Sequence, residues 1–358
     1  MTTALNDDLA QTPPRPAAEL LLRAWRDAKR ASPRAHARDV AAAMGASEAE
    51  LAAARVGDDA IRLSGDWKRL LSELGAVGRV MGLTRNDSAV IEKEGVWEPV
   101  SFDGAVGLVL DEGLDLRLFM THWRHGFVVA HETPGGVRHG LHFFDAHGDA
   151  VHKVYMTAET DADAFWALVE RFRAVDQTQA APALQPRPAR AAERPDDEVD
   201  VAGFQAAWLA LEDTHDFFPL LRRYGVSRRQ ALRLAPPGHA RPVPASALAS
   251  ALANAAATDL PIMVFVGSPG CIEIHSGPIA RVKRLGCWLN VLDPGFNLHL
   301  REDHVAEAFV VRKPTRDGEV TSLELVDAQG DTIAMLFGKR KPGLAEDPRW
   351  RALARGLL

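Results

Sequence analysis

Apolar residues along this chain follow two periods, and each period occurs in both halves. Alanine- and leucine-rich stretches with helical spacing run over Ala17–Ala31 (AAELLLRAWRDAKRA) and Ala46–Val56 (ASEAELAAARV). They recur over Leu220–Ala235 (LLRRYGVSRRQALRLA) and Pro244–Ala257 (PASALASALANAAA). This spacing predicts amphipathic helices, with Ser47 and Ser227 placed as N-caps. Shorter runs with strand character follow: LDLRLFM from Leu114, GFVVAHE from Gly126, GLHFFDA from Gly140, EAFVVRK from Glu307, TSLELVDAQG from Thr321 and TIAMLFG from Thr332. The turn signals PGG, AHGD, RDG and AQGD separate them at hairpin distances, which predicts antiparallel pairing.

The two halves align on each other. With Leu114 placed on Phe296, the segments continue without a gap for about forty residues, the signature of an internal repeat. Leu116 falls on Leu298, Leu118 on Leu300, Phe127 on Phe309, Val128 on Val310, Val129 on Val311, Gly136 on Gly318, Asp145 on Asp327 and Gly148 on Gly330. The expected fold is α+β, with two tandem repeats that are each a large antiparallel sheet flanked by helices. Residues 176–200 carry prolines, alanines and charges with almost no large apolar side chain, and are expected to be a linker. The division is therefore a tail over 1–16, an N-terminal repeat over 17–175, the linker over 176–200 and a C-terminal repeat over 201–358.

Composition narrows the chemistry. The 358 residues are 47% apolar and 25% charged, as in soluble globular proteins, and the formal charge of −6 argues against a nucleic-acid partner. No 18-residue apolar run predicts a membrane span, and the acidic, proline-bearing N-terminus is unlike a signal peptide, so a cytoplasmic location is expected. Two cysteines make neither a disulfide framework nor a zinc pattern. Dinucleotide and P-loop glycine motifs, HExxH and GxSxG are all absent. His122, His125, His139, His142, His147 and His152 invite a metal reading, but strand alternation would scatter them between faces, so structural or solvent-facing roles are expected.

Leading into and along LEDTHDFFPLLRRYG, which starts at Leu211, the spacing of Trp208, Leu211, His215 and Phe218 predicts one helix face from which an imidazole emerges among apolar residues. By itself that fits an ordinary helix residue as well as a ligand. This stretch, with CWLNVLDPGFNLHL, RKPTRDGEVTSLEL, LDLRLFM and FFDAHGDAVHKVY, resembles the haemin-degrading and haem-trafficking proteins of bacterial haem uptake (the HemS/ChuS/PhuS type). The resemblance spans nearly the whole chain outside tail and linker. It implies haem as the bound group, held in a cleft on the C-terminal repeat and closed over by the N-terminal one.

The resemblance further implies His215 as the axial ligand of the haem iron, with Phe218 packing beside it, and Arg117 and Phe119 reaching over the opposite haem face. Lys313 and Arg340 are implied as basic pocket residues, natural partners for the two propionates. Met335 and Phe337 line the same pocket, although glutamine and tyrosine stand there in better-known relatives, so a polar network is lost. The first repeat has alanine at the position best aligned with His215, with His36 one residue away. Two activities remain open on this reading. The protein could carry haem to a haem oxygenase, receiving it at the cytoplasmic side of an ABC transporter, or it could open the porphyrin itself with an external electron donor. A duplicated scaffold that no longer binds haem is the third alternative.

Overall fold

The repeat seen in the sequence reappears as one element order folded twice. The computed structural model describes residues 16–133, 135–340 and 343–357; apart from Pro16, the expected tail lies outside them. The first half contains α1 (Ala18–Ala31), α2 (Ala37–Ala43), α3 (Glu48–Ala54), β1 (Ala60–Leu63), α4 (Trp67–Glu73), β2 (Gly78–Arg85) and β3 (Ala89–Val96). It continues with β4 (Val100–Asp103), β5 (Val106–Leu110), β6 (Asp115–Phe119), β7 (His125–Thr133), β8 (Gly136–Phe144), β9 (Ala150–Thr160) and α5 (Ala162–Phe172). The second half contains α6 (Val201–Leu209), α7 (Phe217–Tyr224), α8 (Arg228–Arg233), β10 (Ala240–Val243), α9 (Ala247–Ala257), β11 (Ile262–Gly267) and β12 (Cys271–Gly277). It ends with β13 (Val282–Leu285), β14 (Trp288–Asp293), β15 (Phe296–Arg301), β16 (Glu307–Thr315), β17 (Gly318–Val326), β18 (Thr332–Gly338) and α10 (Pro348–Arg355). Among the described residues, no helix is long and apolar enough to cross a membrane.

Equivalent positions repeat down to single hydrogen bonds. Ser47 and Ser227 both cap helices, accepting from the backbone N–H of Glu50 and Gln230. Asp145 accepts from the N–H groups of His147 and Asp149, and Asp327 from those of Gln329 and Asp331, which shapes the two AxGD turns alike. Both turns need a left-handed residue, supplied by Gly148 at φ 86° and Gly330 at φ 88°. One predicted helix is split: Gly225, at φ 62°, ends α7, and Ser227 starts α8.

The strands form two nine-stranded antiparallel sheets, and neither belongs to one half alone. The first has the order β1-β7-β8-β9-β2-β3-β15-β14-β13, the second β10-β16-β17-β18-β11-β12-β6-β5-β4. Each half thus keeps six strands and lends its three-stranded arm to the other. Arm β4–β6 joins through β6 on β12, with Cys271 opposite Leu118 and Ile274 opposite Asp115. Arm β13–β15 joins through β15 on β3, with Phe296 opposite Lys93 and Leu300 opposite Ala89. The buried faces of the arms pack homeward. Val109, Leu116 and Leu118 sit in the first half's core with α4 and α5, while Leu289, Val291, Leu298 and Leu300 sit with α9 and α10. The arms therefore take hydrogen bonds from one half and apolar burial from the other, which couples the halves.

The expected linker is ordered along the surface. Arg187 binds Asp149 at 2.5 Å beside the first AxGD turn, and Arg190 pairs with Asp331 beside the second. Gln185 donates its N–H to the Ala146 carbonyl. Charged side chains thus do what the missing large apolar residues could not.

Where the sheets face each other, Glu273 on β12 enters a space left by Gly82, its carboxylate 3.2 Å from where a Cβ there would stand. It is wholly buried, and burial pushes its carboxyl up to about 8. Lys93 and His152 lie beside it; burial lowers the Lys93 ammonium and pushes the His152 imidazole down to about 3. An acid whose folded pKa is raised is proton-linked in one direction. Its neutral form contributes fully below the unfolded value near 4.5, and that contribution falls as pH rises to about 8. Glu273→Gln should therefore gain stability relative to the parent between pH 5 and pH 8, read as the difference in urea midpoint at the two pH values. A second expectation concerns the arms. Chains severed after Ala189 and co-expressed should copurify one to one, whereas either half alone exposes the edge of β3 or β12 and should aggregate or remain unfolded in size-exclusion chromatography.

Candidate ligand-binding groove

Directly opposed residues in antiparallel strands project from the same sheet face. The register of the second sheet accordingly aligns Glu324, Met335, Phe265, Ile274 and Asp115 across β17, β18, β11, β12 and β6. One pleat to one side stand Ser322, Phe337 and Met263; one pleat to the other stand Ile272, Arg117 and Leu108. Three strand spacings separate Met335 from the β6 position of Asp115, roughly 14 Å. Phe265, Ile272, Met335, Phe337, Arg117 and Phe119 are half-buried, whereas Leu116 and Leu118 on the opposite face are fully buried. The result is an apolar strip of sheet left partly open. The exchanged arm brings Arg117 and Phe119 onto the same face as Met335 and Phe337. Arg117 is held by an ion pair with Asp115.

Helices α6–α8 cover one end of this face. Phe204, Trp208, Phe217, Leu220 and Leu221 pack with Phe309, Val311 and Val326. The single helix expected through His215 is not formed: α6 ends at Leu209, Thr214–Asp216 is one 3-10 turn, and α7 starts at Phe217. Pro219 supplies a reason, since its ring clashes with the carbonyl four residues earlier, that of His215, in a continuous helix. Trp208, Leu211, His215 and Phe218 consequently do not share a face. Trp208 and Leu211 are buried, with the Trp208 indole donating to the Arg312 carbonyl, while the His215 and Phe218 side chains project into solvent at 86% and 65% exposure.

The His215 ring is not free to turn. Asp213 Oδ1 accepts from the His215 backbone N–H at 2.8 Å and lies 2.6 Å from its Nδ1. The His215 N–H, its ring and the positive charge of Arg340 hold the Asp213 carboxyl below its ordinary range. Arg340, half-buried just past β18, thus lies within electrostatic reach of this turn, and its Nη1 is buried without a hydrogen-bond partner among the described residues.

Lys313, expected as a basic pocket residue, is a buried cation with its charge already paired. It is 3% exposed, 2.7 Å from Glu324 Oε1 and 4.3 Å from the Phe217 ring centroid, beneath α7. Arg228 binds the other oxygen of Glu324 at 2.8 Å and reaches the Met335 sulfur, and Ser322 donates to Oε1. Burial alone would raise the Glu324 pKa, but the two cations and their hydrogen bonds outweigh it and hold the carboxyl well below its usual range. This cluster was not singled out in the sequence. Lys313 and Glu324 lie on neighbouring strands but not opposite each other, Lys313 facing Val320 and Glu324 facing Phe309, so only the folded sheet brings their side chains together; Asp213, two residues before His215, was legible as a short-range turn acceptor. Of the first half's histidines, His142 stacks on His131 with Nε2 atoms 3.2 Å apart, while His152 bonds Thr84 on the other face.

Comparison with known proteins places relatives beside this geometry. A profile of the haemin-degrading HemS/ChuX domain matches residues 45–172 and again 225–357. The chain is 44% identical over 325 residues to the hemin transport protein HemS of Yersinia enterocolitica, covering 90% of this chain and 93% of that protein. It superposes on the holo form of PhuS, a heme-binding protein from Pseudomonas aeruginosa, with a TM-score of 0.92 and 45% identity over 96% of this chain and 99% of that one. It also superposes on ChuS, described as an Escherichia coli heme oxygenase, with a TM-score of 0.84 and 39% identity over 94% and 99% of the two chains.

The buried ion cluster generates a stability prediction. Glu324→Gln strands the buried Lys313 and the part-buried Arg228, and should cost about 3–5 kcal/mol in urea unfolding at pH 7. The paired change Lys313→Met with Glu324→Leu should recover a large part of that loss. Because the Glu324 pKa is depressed, its contribution is present above about pH 4.5 and is lost as pH falls towards the folded value.

Proposed function

The chain belongs to the haemin-degrading HemS/ChuX family, and from that membership we propose that it is a cytoplasmic haem-binding protein of bacterial haem uptake and utilisation. One observation carries the reading: beside an apolar, partly open strip of sheet, the turn before α7, whose Phe217 packs over Lys313 and so over Glu324 on β17, presents an exposed histidine whose Nε2 has no partner among the described residues. An apolar macrocycle with an iron centre matches both features, since its faces are stabilised by burial and its metal takes an imidazole nitrogen. In this reading His215 is the axial ligand, Phe218, Met335 and Phe337 contact the ring, and Arg117 and Phe119 close the opposite side. Arg340, whose buried Nη1 lacks a hydrogen-bond partner among the described residues, takes a propionate. Lys313 is committed to Glu324 and acts from beneath, fixing Phe217 and the turn that carries His215.

The bound haem supplies the iron that any later oxygen chemistry needs. The protein's own residues bind it, orient it and shield its faces from water. We propose delivery to a haem oxygenase as the first role, with haem arriving from the cytoplasmic side of an ABC transporter. Ring opening by the chain itself is the second reading, favoured by the likeness to a protein described as a heme oxygenase. Purified protein loaded with haemin and given a reductant under air, with catalase present, separates the two. A persistent Soret band marks the carrier; its loss with release of iron and a tetrapyrrole product marks the enzyme.

His215→Ala should shift the ferric haem spectrum and speed haem loss, while His122→Ala and His139→Ala should leave both unchanged. Combining His215→Ala with His36→Ala tests for substitution by the histidine of the first half. A wild-type spectrum and off-rate in that double variant would sink the assignment. Arg340→Ala should weaken haem binding by about tenfold to a hundredfold, the worth of one charge-assisted hydrogen bond, without changing the ligation spectrum.

A further inference from the structure

An exposed imidazole on a three-residue turn has little packing to hold it, and left alone it would rotate and exchange tautomers. Here one carboxylate oxygen removes both freedoms. Asp213 Oδ1 receives the His215 backbone N–H at 2.8 Å, which fixes the turn, and meets Nδ1 at 2.6 Å, which fixes the ring. An ionised carboxylate can only accept, so Nδ1 carries a proton, and in the neutral ring the lone pair is left on Nε2. The 2.6 Å separation is that of a short, charge-assisted hydrogen bond. The adjoining residue is anchored too: Arg316 donates its backbone N–H to the Glu212 carbonyl at 2.9 Å and its guanidinium to the Glu212 carboxylate. Asp213 therefore hangs from the β16–β17 hairpin rather than from a loose loop.

We propose that Asp213 is a positioning residue for the iron-ligating histidine, holding His215 in the Nδ1–H tautomer with Nε2 outward and making that nitrogen a more electron-rich donor, so that bound haem is stabilised in its ferric state. The inference rests on His215 being the ligand, as proposed above. Its physical basis is general: a carboxylate accepting the second N–H of a ligating imidazole orients the ring and raises its basicity, and losing such a partner costs roughly 10–100-fold in affinity. A merely structural aspartate would need only the backbone bond, which caps the turn. The contact to Nδ1 is additional, and asparagine at 213 separates the two. Its side-chain oxygen can still accept both hydrogen bonds, while the negative charge is gone.

The test uses the full-length protein with Asp213→Asn and His215→Ala, each loaded with haemin, after far-UV circular dichroism and melting have established that both are folded. Three quantities are read: the iron–histidine stretching frequency of the reduced form by resonance Raman, the midpoint potential, and the rate of ferric haem transfer to apomyoglobin. Asp213→Asn should lower the stretching frequency, raise the midpoint potential and speed ferric haem loss roughly 10–100-fold. If all three match the parent while His215→Ala alters the spectrum, the role of Asp213 is refuted and the ligand assignment stands. If His215→Ala combined with His36→Ala leaves the spectrum unchanged, the ligand assignment falls and the role of Asp213 falls with it.

Discussion

The structure depends on the pairing of two strand edges, β6 against β12 and β15 against β3. A sheet edge presents unpaired N–H and C=O groups that must be satisfied or hidden. Each half satisfies its own exposed edge with the partner half's three-stranded arm. The arms keep their apolar faces in their home cores, so separating the halves would break hydrogen bonds and strip apolar surface together. The surface strap adds ionic tethers to both AxGD turns. Two copies of one unit are thereby made into a single object.

The same exchange assembles the groove. Arg117 and Phe119 come from the first half, and His215, Met335, Phe337 and Arg340 from the second. Arg117, Phe119, Met335 and Phe337 share one face of a continuous sheet because β6 crosses over, while His215 lies on the turn before α7 and Arg340 just past β18. The duplicated face of the first sheet has been spent differently. Positions equivalent to Lys313 and Glu324 hold His131 and His142, and that equivalent to Met335 holds Lys153, paired with the buried Glu48 at 2.5 Å. His299 stands where Arg117 would, bonded to Asn290, and Glu92 bonds Asn297 nearby. An apolar strip has become a network of polar side chains that satisfy one another. The asymmetry explains how one scaffold keeps one open apolar groove: burial of an unpartnered polar group is costly, so a polar face closes on itself.

Within the second half, the buried ion cluster supports the turn that carries His215. Glu324 anchors Lys313 and Arg228 below Phe217, and Phe217 begins the helix directly after the turn that carries His215. The buried charges hold the platform, and the exposed imidazole and phenylalanine stand on top of it. A buried cation whose role is read from its sign alone invites the wrong partner. Lys313 is positive as a propionate would require, yet its charge is already met by a carboxylate on the adjacent strand.

By itself, the sequence determined the two-fold repeat, the α+β class, the helix caps at Ser47 and Ser227, the twin AxGD turns and the alternation that turns Leu116 and Leu118 inward and Arg117 outward. These follow from local periods and short-range hydrogen bonds, which are written within a few residues of each other. The short-range pair of Asp213 and His215 was equally within its reach. The tertiary structure alone decided which sheet each arm would join, the burial of Lys313 against Glu324 and the lodging of Glu273 over Gly82. All three are contacts between strands far apart in the chain, and the hydrophobic pattern of an arm is satisfied equally well beside either sheet. Only the competition for exposed strand edges in the folded molecule selects one.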